Sequence, residues 1–175
     1  MCRMSGNKIL QGTDMSEGRI RHFPNASGSS LDGKRFNLPR DLKGKVNIVI
    51  ITFRRKQTDI IEQWATPLKE IMRADPSLEV YELPTLSRGY SPFRWWIDGG
   101  MRAGIVDEEA RRRTITIYTN KRNFKVQLGI PNEETIYIFL VGKDGRIITR
   151  VQGDFTEEKH RQLQNAINMN ISRKE

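Results

Sequence analysis

The apolar positions of the chain fall into blocks that alternate between a period of two and a period near 3.6, and the longest unbroken block organises the rest. Val46 to Phe53 is apolar and β-branched apart from Asn47 and Thr52, the pattern of a central strand covered on both faces. Arg54-Arg55-Lys56-Gln57 breaks that pattern, and Thr58 or Asp59 is placed to cap the first free N–H groups of a helix. Ile60, Ile61, Trp64, Leu68, Ile71 and Met72 then recur at helical spacing as one buried face. Pro67 predicts a kink inside this helix, and Asp75-Pro76 predicts its end.

The blocks on either side extend the picture. In SSLDGKRFNLPRDLKGK, Asp32-Gly33 marks a hairpin whose Leu31, Phe36, Leu38 and Leu42 face inward, packed at the edge of the main sheet. Leu78 to Leu83 is a second strand, parallel to the first because a helix carries the crossover. Ser91-Pro92 opens a helix with Phe93, Trp96 or Ile97, Met101 and Ile105 as its apolar face. Gly99-Gly100 weakens that helix by about 1 kcal/mol per glycine relative to alanine. Asp107-Glu108-Glu109 leads to Arg111-Arg112-Arg113, acids first and bases last, as the helix dipole favours. A third strand, Thr114 to Tyr118, precedes a short helix from Asn120 to Leu128 stopped by Gly129. ETIYIFLVGKDGRIITRVQG is a hairpin turning at Gly142-Lys143-Asp144-Gly145, and Thr156 caps a closing helix with His160, Leu163, Ala166 and Ile167 on one side.

Composition narrows the class. The 175 residues, 37% hydrophobic and 29% charged, suit one soluble globular domain. Residues 1–28 read as a flexible tail in which Ile20, Phe23 and Pro24 begin to meet the domain, 29–171 as the domain, and 172–175 as a frayed end. No segment approaches the roughly 18 apolar residues of a membrane helix, and the start lacks the apolar core of a secretory signal. The expectation is therefore a cytoplasmic protein, with mitochondrial import left open. The single cysteine, Cys2, excludes an intrachain disulfide and any Cys-x-x-Cys site. A net charge of +9 favours an anionic partner without naming one.

The order hairpin, strand, helix, strand, helix, strand, short helix, hairpin, helix resembles the thioredoxin fold in its peroxiredoxin and membrane-anchored-thioredoxin variant. The resemblance rests on SLDGKRFNLPRDLKGKVNIVIITF and, more specifically, on FKVQLGIPNEETIYIFLVGKDGRIITRVQGDFTEEKHRQL. It implies an α/β domain, thioredoxin-like, with a central mixed sheet, helices on both faces and an N-terminal β-hairpin. The family's chemistry does not carry over. Aligned on Phe53, the usual Cys-x-x-Cys falls on Thr58-Asp59-Ile60-Ile61; aligned on Pro67, it falls on Asp59-Ile60-Ile61-Glu62. The cis-proline that faces those cysteines falls near Thr135-Ile136, and the nearest proline is Pro131. Without a thiolate there is no dithiol exchange, and a hydroxyl such as Thr58 lacks an adjacent base. PFRWWIDGGMRAGI followed by TITIYTNKRNFKVQLGI is also similar to the mitochondrial ATP synthase assembly factors and their prokaryotic relatives, matching at Phe93, Arg94, Trp95, Trp96, Arg102 and Asp144-Gly145. These resemblances imply a redox-inactive module that binds or assembles a protein partner.

Two groups of residues are candidates for a site. Arg54, Arg55, Lys56 and Thr58, at a helix N-terminus, form an anion-binding candidate, whose plain alternative is a solvated basic loop. Tyr90, Phe93, Arg94, Trp95, Trp96 and Arg102 form a partner-binding candidate, because adjacent tryptophans point about 100° apart on a helix and one of them can be an exposed anchor. The alternative is that both tryptophans pack between helix and sheet. Nucleic-acid binding through Arg54, Arg55, Arg94 and Arg111 to Arg113 is the weakest reading, since no nucleic-acid motif is present and the bases are scattered among acids. His22 and His160 stand apart from other metal ligands. The sequence thus predicts no catalytic residue, no cofactor and no metal; a thiol-independent enzyme acting on an anionic substrate is the competing class.

Overall fold

A computed structural model describes residues 22–172. Seven strands form one sheet in the order β2-β1-β5-β4-β3-β6-β7. Its spine is β3 (Val46–Thr52), buried at every position, with β4 (Leu78–Ser87) parallel on one side and β6 (Tyr137–Gly142) antiparallel on the other. Beyond β4 lies β5 (Ile115–Thr119), again parallel, and beyond it the antiparallel hairpin of β1 (Ala26–Ser30) and β2 (Arg35–Leu38). At the opposite edge, β7 (Ile147–Gln152) pairs with β6 through the predicted turn. Asn47, the polar residue inside β3, is fully satisfied: it accepts from Gly44 N at 2.9 Å and donates to the carbonyls of Gly44 and Val141 at 3.0 and 3.3 Å.

Alternation along the strands sends side chains into two cores. One holds Val49, Ile51, Tyr81, Leu83, Ile115 and Ile117, sealed by Phe23 and by Phe124 and Leu128 of α4 (Lys121–Leu128). The other holds Ile48, Ile50, Ile138 and Leu140 under Trp64, Leu68 and Ile71 of α1 (Thr58–Ala74) and Leu163 and Ile167 of α5 (Glu157–Ile171). Two further helices, α2 (Arg94–Gly104) and α3 (Glu108–Arg113), carry the chain from β4 to β5.

Thr156 caps α5 as expected, and Asp107 and Asn120 cap α3 and α4 in the same way, each accepting from a backbone N–H of the first turn. The exception is α1, which has no side-chain cap; a 3-10 turn, Arg55–Gln57, precedes it, and Thr58 Oγ1 donates instead to Arg55 O at 2.8 Å. The helix has Pro67 inside it and ends at Ala74, where Asp75-Pro76 predicts. β4 is four residues longer than expected, because its second half pairs with β5 while Pro84 sits beside Thr52.

Strand pairing begins ahead of the expected boundary at Gly28. Phe23 is buried, and Ala26 to Ser29 pair with β2. At Gly28 the missing side chain serves close packing: a Cβ there would lie 2.7 Å from both Ile115 Cγ2 and Thr116 O. Residues 1–21 and the end from Arg173 fall outside the described residues.

Candidate functional site

The first candidate occupies the place of a thioredoxin's reactive loop, between β3 and α1, and its centre is a residue that sequence reasoning passed over. Gln57 is 1% exposed. Its side-chain oxygen accepts from Phe53 N at 2.8 Å and Arg54 N at 3.2 Å, and its side-chain nitrogen donates to Glu133 O at 2.9 Å and Thr135 O at 3.0 Å. One amide therefore ties the end of β3 to the loop that enters β6. Glu133 fastens the same loop from outside, receiving Lys121 Nζ at 2.6 Å and Lys125 Nζ at 2.9 Å. Burial pushes the Glu133 carboxyl up, but the two lysines hold it below its ordinary value.

The basic residues around this knot are unequal. Arg54 forms a two-pronged pair with Glu134 at 2.7 and 3.0 Å, so much of its charge is matched. Arg55 and Lys56 are exposed and make no ion pair among the described residues. Thr58 is exposed and turned to its own backbone. The four residues are thus neighbours, but only Arg55 and Lys56 have their charges free among those residues.

The second candidate is differently built. A 3-10 turn, Arg88–Phe93, leads into α2, and neither contributes a buried residue. Trp95 is 78% exposed, Trp96 69%, Phe93 59% and Tyr90 55%. Sequence reasoning expected an apolar face packed on the sheet and at most one free tryptophan; both are free. The reason lies beneath the helix. Tyr118 alternates with the core residues Ile115 and Ile117, and Glu82 with Tyr81 and Leu83, so Tyr118 and Glu82 point to the face that carries α1. Thr116, fully buried, shares that face, and the register sets it beside Pro84. Here Glu82, Thr116 and Tyr118 interrupt the apolar surface, leaving Pro84 and Leu86, and the apolar layer under α1 and α5 includes no residue of β5 or α2.

Polar contacts hold α2 instead. Tyr118 Oη donates to Asp98 Oδ1 at 3.0 Å, the Arg94 guanidinium lies 5.0 Å from the Tyr118 ring centre, and Arg94 Nε approaches Asp98 Oδ2 at 3.7 Å. Burial, followed by the Asp98 carboxylate, raises the Tyr118 phenol far above its ordinary value, so it stays a donor. Burial also pushes the Glu82 carboxyl up to about 7. Arg102 is exposed on α2. The structure therefore brings Tyr90, Phe93, Arg94, Trp95, Trp96 and Arg102 together on one turn and one helix, mostly facing water.

The remaining basic cluster is spoken for. Arg112 pairs with Glu109 at 2.8 Å, Arg113 with Glu79 at 3.4 Å, and Arg111 donates to Ile105 O. Among the described residues no group of His, Cys, Asp and Glu is arranged to hold a metal ion, and no helix is long and apolar enough to cross a membrane.

A seven-stranded mixed sheet with this order of helices and a β3-loop-α1 unit at its centre is a thioredoxin-like fold, and solved structures agree. A putative electron transfer protein from Aquifex aeolicus superposes with a TM-score of 0.60 at 12% identity, covering 86% of this chain and 96% of that one. BsSco, a member of the Sco family of cytochrome c oxidase assembly proteins, gives 0.55 at 14% identity, covering 83% and 93%. A putative thiol:disulfide interchange protein DsbE from Chlorobium tepidum gives 0.52 at 13% identity, covering 85% and 94%. These likenesses establish the fold. No curated protein matches the chain. The family model described as ATP10 protein matches residues 16–169, and the chain belongs to that family of ATP synthase assembly factors.

Proposed function

We propose that this protein is a redox-inactive assembly module that docks on a protein partner through the aromatic surface of α2 and the turn before it. The observation that carries the reading is the exposure of Tyr90, Phe93, Trp95 and Trp96 on one short stretch of a folded domain. Isolated apolar side chains on a surface need no explanation, but four exposed aromatics on one turn and the start of one helix, with Arg94 among them, do. Trp, Tyr and Arg are the residue types that dominate the energetics of protein interfaces. The sequence has its only cysteine at Cys2, and Gln57 fills the reactive loop with a satisfied amide, which supports scaffolding over thiol chemistry. The anion reading of Arg54, Arg55, Lys56 and Thr58 has less support, because Arg54 is matched by Glu134. Family membership favours the compartment in which ATP synthase is assembled over the cytoplasm.

The test is partner capture from the native cell with Trp95→Ala/Trp96→Ala. Exposed substitutions shift stability by within about 0.5 kcal/mol, so the variant should melt like wild type. Loss of two hot-spot anchors, at ~2 kcal/mol or more each, should cut capture by at least ~100-fold. Undiminished capture by the double variant would remove the reading.

A further inference from the structure

Beside the 3-10 turn, the same sheet face continues past β5 onto the hairpin as an open trough of about 550 Å³. Its lining includes Ser27 and Asn37 from the hairpin, Tyr118 from β5, and Arg40 and Arg88 at the rim. The floor is set by register. Gly28 presses on Ile115 and Ile117, so Ser27 points to the opposite face and joins Tyr118 there, and Ser27 Oγ donates to Asn37 Oδ1 at 3.2 Å across the ladder. No carboxylate lines the trough. Arg88 is exposed and has no ion pair among the described residues; the Arg40 side chain is 77% exposed and among those residues pairs with Asp41, whose other oxygen already accepts from Asn37 N at 2.7 Å. Arg88 also opens the turn that presents Tyr90 and Phe93, so the trough ends at the turn that carries the first of the exposed aromatics.

We propose that the partner segment docking on α2 carries acidic residues next to its apolar ones, and that those carboxylates seat in the trough on Arg88 and Arg40. This rests on the partner-docking reading above and specifies the chemistry of the occupant. A guanidinium offers a carboxylate two parallel N–H donors, and the hydroxyl and amide of Ser27 and Asn37 line the same floor. Neither arginine is buried, so a lone oxyanion would keep most of its water and gain little. An acidic peptide gains more, because the aromatic contact holds its carboxylates at high local concentration over the trough. Charge complementarity of this kind chooses partners more than it adds affinity.

The experiment uses the full chain and three labelled peptides that share one apolar helical core and are flanked by Glu, Ser or Lys, with binding read by fluorescence anisotropy. The Glu-flanked peptide should bind about ten-fold tighter than the Lys-flanked one, and the gap should narrow between about 50 and 200 mM salt. Arg40→Glu/Arg88→Glu should abolish or invert the preference while binding the Ser-flanked peptide as wild type does. Trp95→Ala/Trp96→Ala should weaken all three. Equal affinity for the three peptides, a preference that survives the arginine reversals, or no binding of the Glu-flanked peptide overturns the inference. Displacement of that peptide by millimolar inorganic phosphate, with no dependence on the tryptophans, overturns it in favour of a small oxyanion. Charge-independent binding that still needs the tryptophans refutes the acidic arm alone, whereas binding indifferent to the tryptophans refutes the docking surface itself.

Discussion

Replacing Gln57 with leucine keeps the size of the side chain and deletes its four hydrogen bonds at 2.8, 3.2, 2.9 and 3.0 Å. A typical intramolecular hydrogen bond contributes about 1 kcal/mol net, and a backbone group left buried and unpaired costs about 1–3 kcal/mol. These bonds are part-buried, at the end of β3, so the expected loss is about 2–4 kcal/mol, or a fall in melting temperature of roughly 5–15 °C for a domain of this size. Gln57→Glu separates hydrogen bonding from packing. Its carboxylate could still accept from Phe53 and Arg54, but it would face the carbonyls of Glu133 and Thr135 with no proton to give. Only the protonated acid fits, so its carboxyl is raised in the folded state. The sign follows: this variant is best tolerated below the ordinary carboxylate range and loses stability as pH rises. Urea denaturation from about pH 4 to 8 reads both effects. A loss below about 0.5 kcal/mol for Gln57→Leu, or a pH-independent loss for Gln57→Glu, would refute the claim that this amide ties the loop to the sheet.

Glu82 gives a second pH test. Its carboxyl lies near 7 against an ordinary 4.5, so between those values the native state holds a proton that the unfolded chain has released, and stability falls as pH rises. Glu82→Gln should flatten that slope and, at pH 8, stabilise the protein by roughly 1–3 kcal/mol after discounting for partial exposure. Glu133→Gln acts the other way: the pair with Lys121 and Lys125 stabilises above the ordinary carboxylate range and fades as pH falls, so the variant should lose about 1 kcal/mol at neutral pH and little under acid. Trp64→Phe removes the bond from Nε1 to Gly153 O at 3.0 Å from a fully buried position, with an expected cost of about 1–3 kcal/mol by calorimetry.

The sheet was legible in the sequence where period and burial coincide. Val46 to Thr52 is apolar on both faces because both faces are covered, and Asp32-Gly33 and Asp144-Gly145 turn hairpins because Gly33 and Gly145 take φ of 94° and 81°. The aromatic helix misled in an instructive way. Phe93, Trp96, Ile97 and Met101 have the spacing of a buried face, yet a helix buries an apolar stripe only if the sheet beneath it is apolar, and Glu82, Thr116 and Tyr118 interrupt the apolar surface there. Gln57 was hidden for another reason. It sits in a run of charged residues, and its partners, Glu133 and Thr135, lie 76 and 78 positions away. Its two local bonds, from Phe53 N and Arg54 N, are backbone contacts that any short loop offers, and the two that reach across the fold leave no local pattern.

A photo-crosslinking amino acid placed at Trp95 in the native cell shows whether the face of α2 meets a protein partner. Val126, 71% exposed on α4 across the sheet, serves as the control. One dominant crosslinked protein should form from position 95, absent from position 126 and lost when Tyr90 and Phe93 are replaced by alanine in the same chain. The same products from both positions, or none from position 95 in cells where the protein is folded and abundant, would contradict docking through α2.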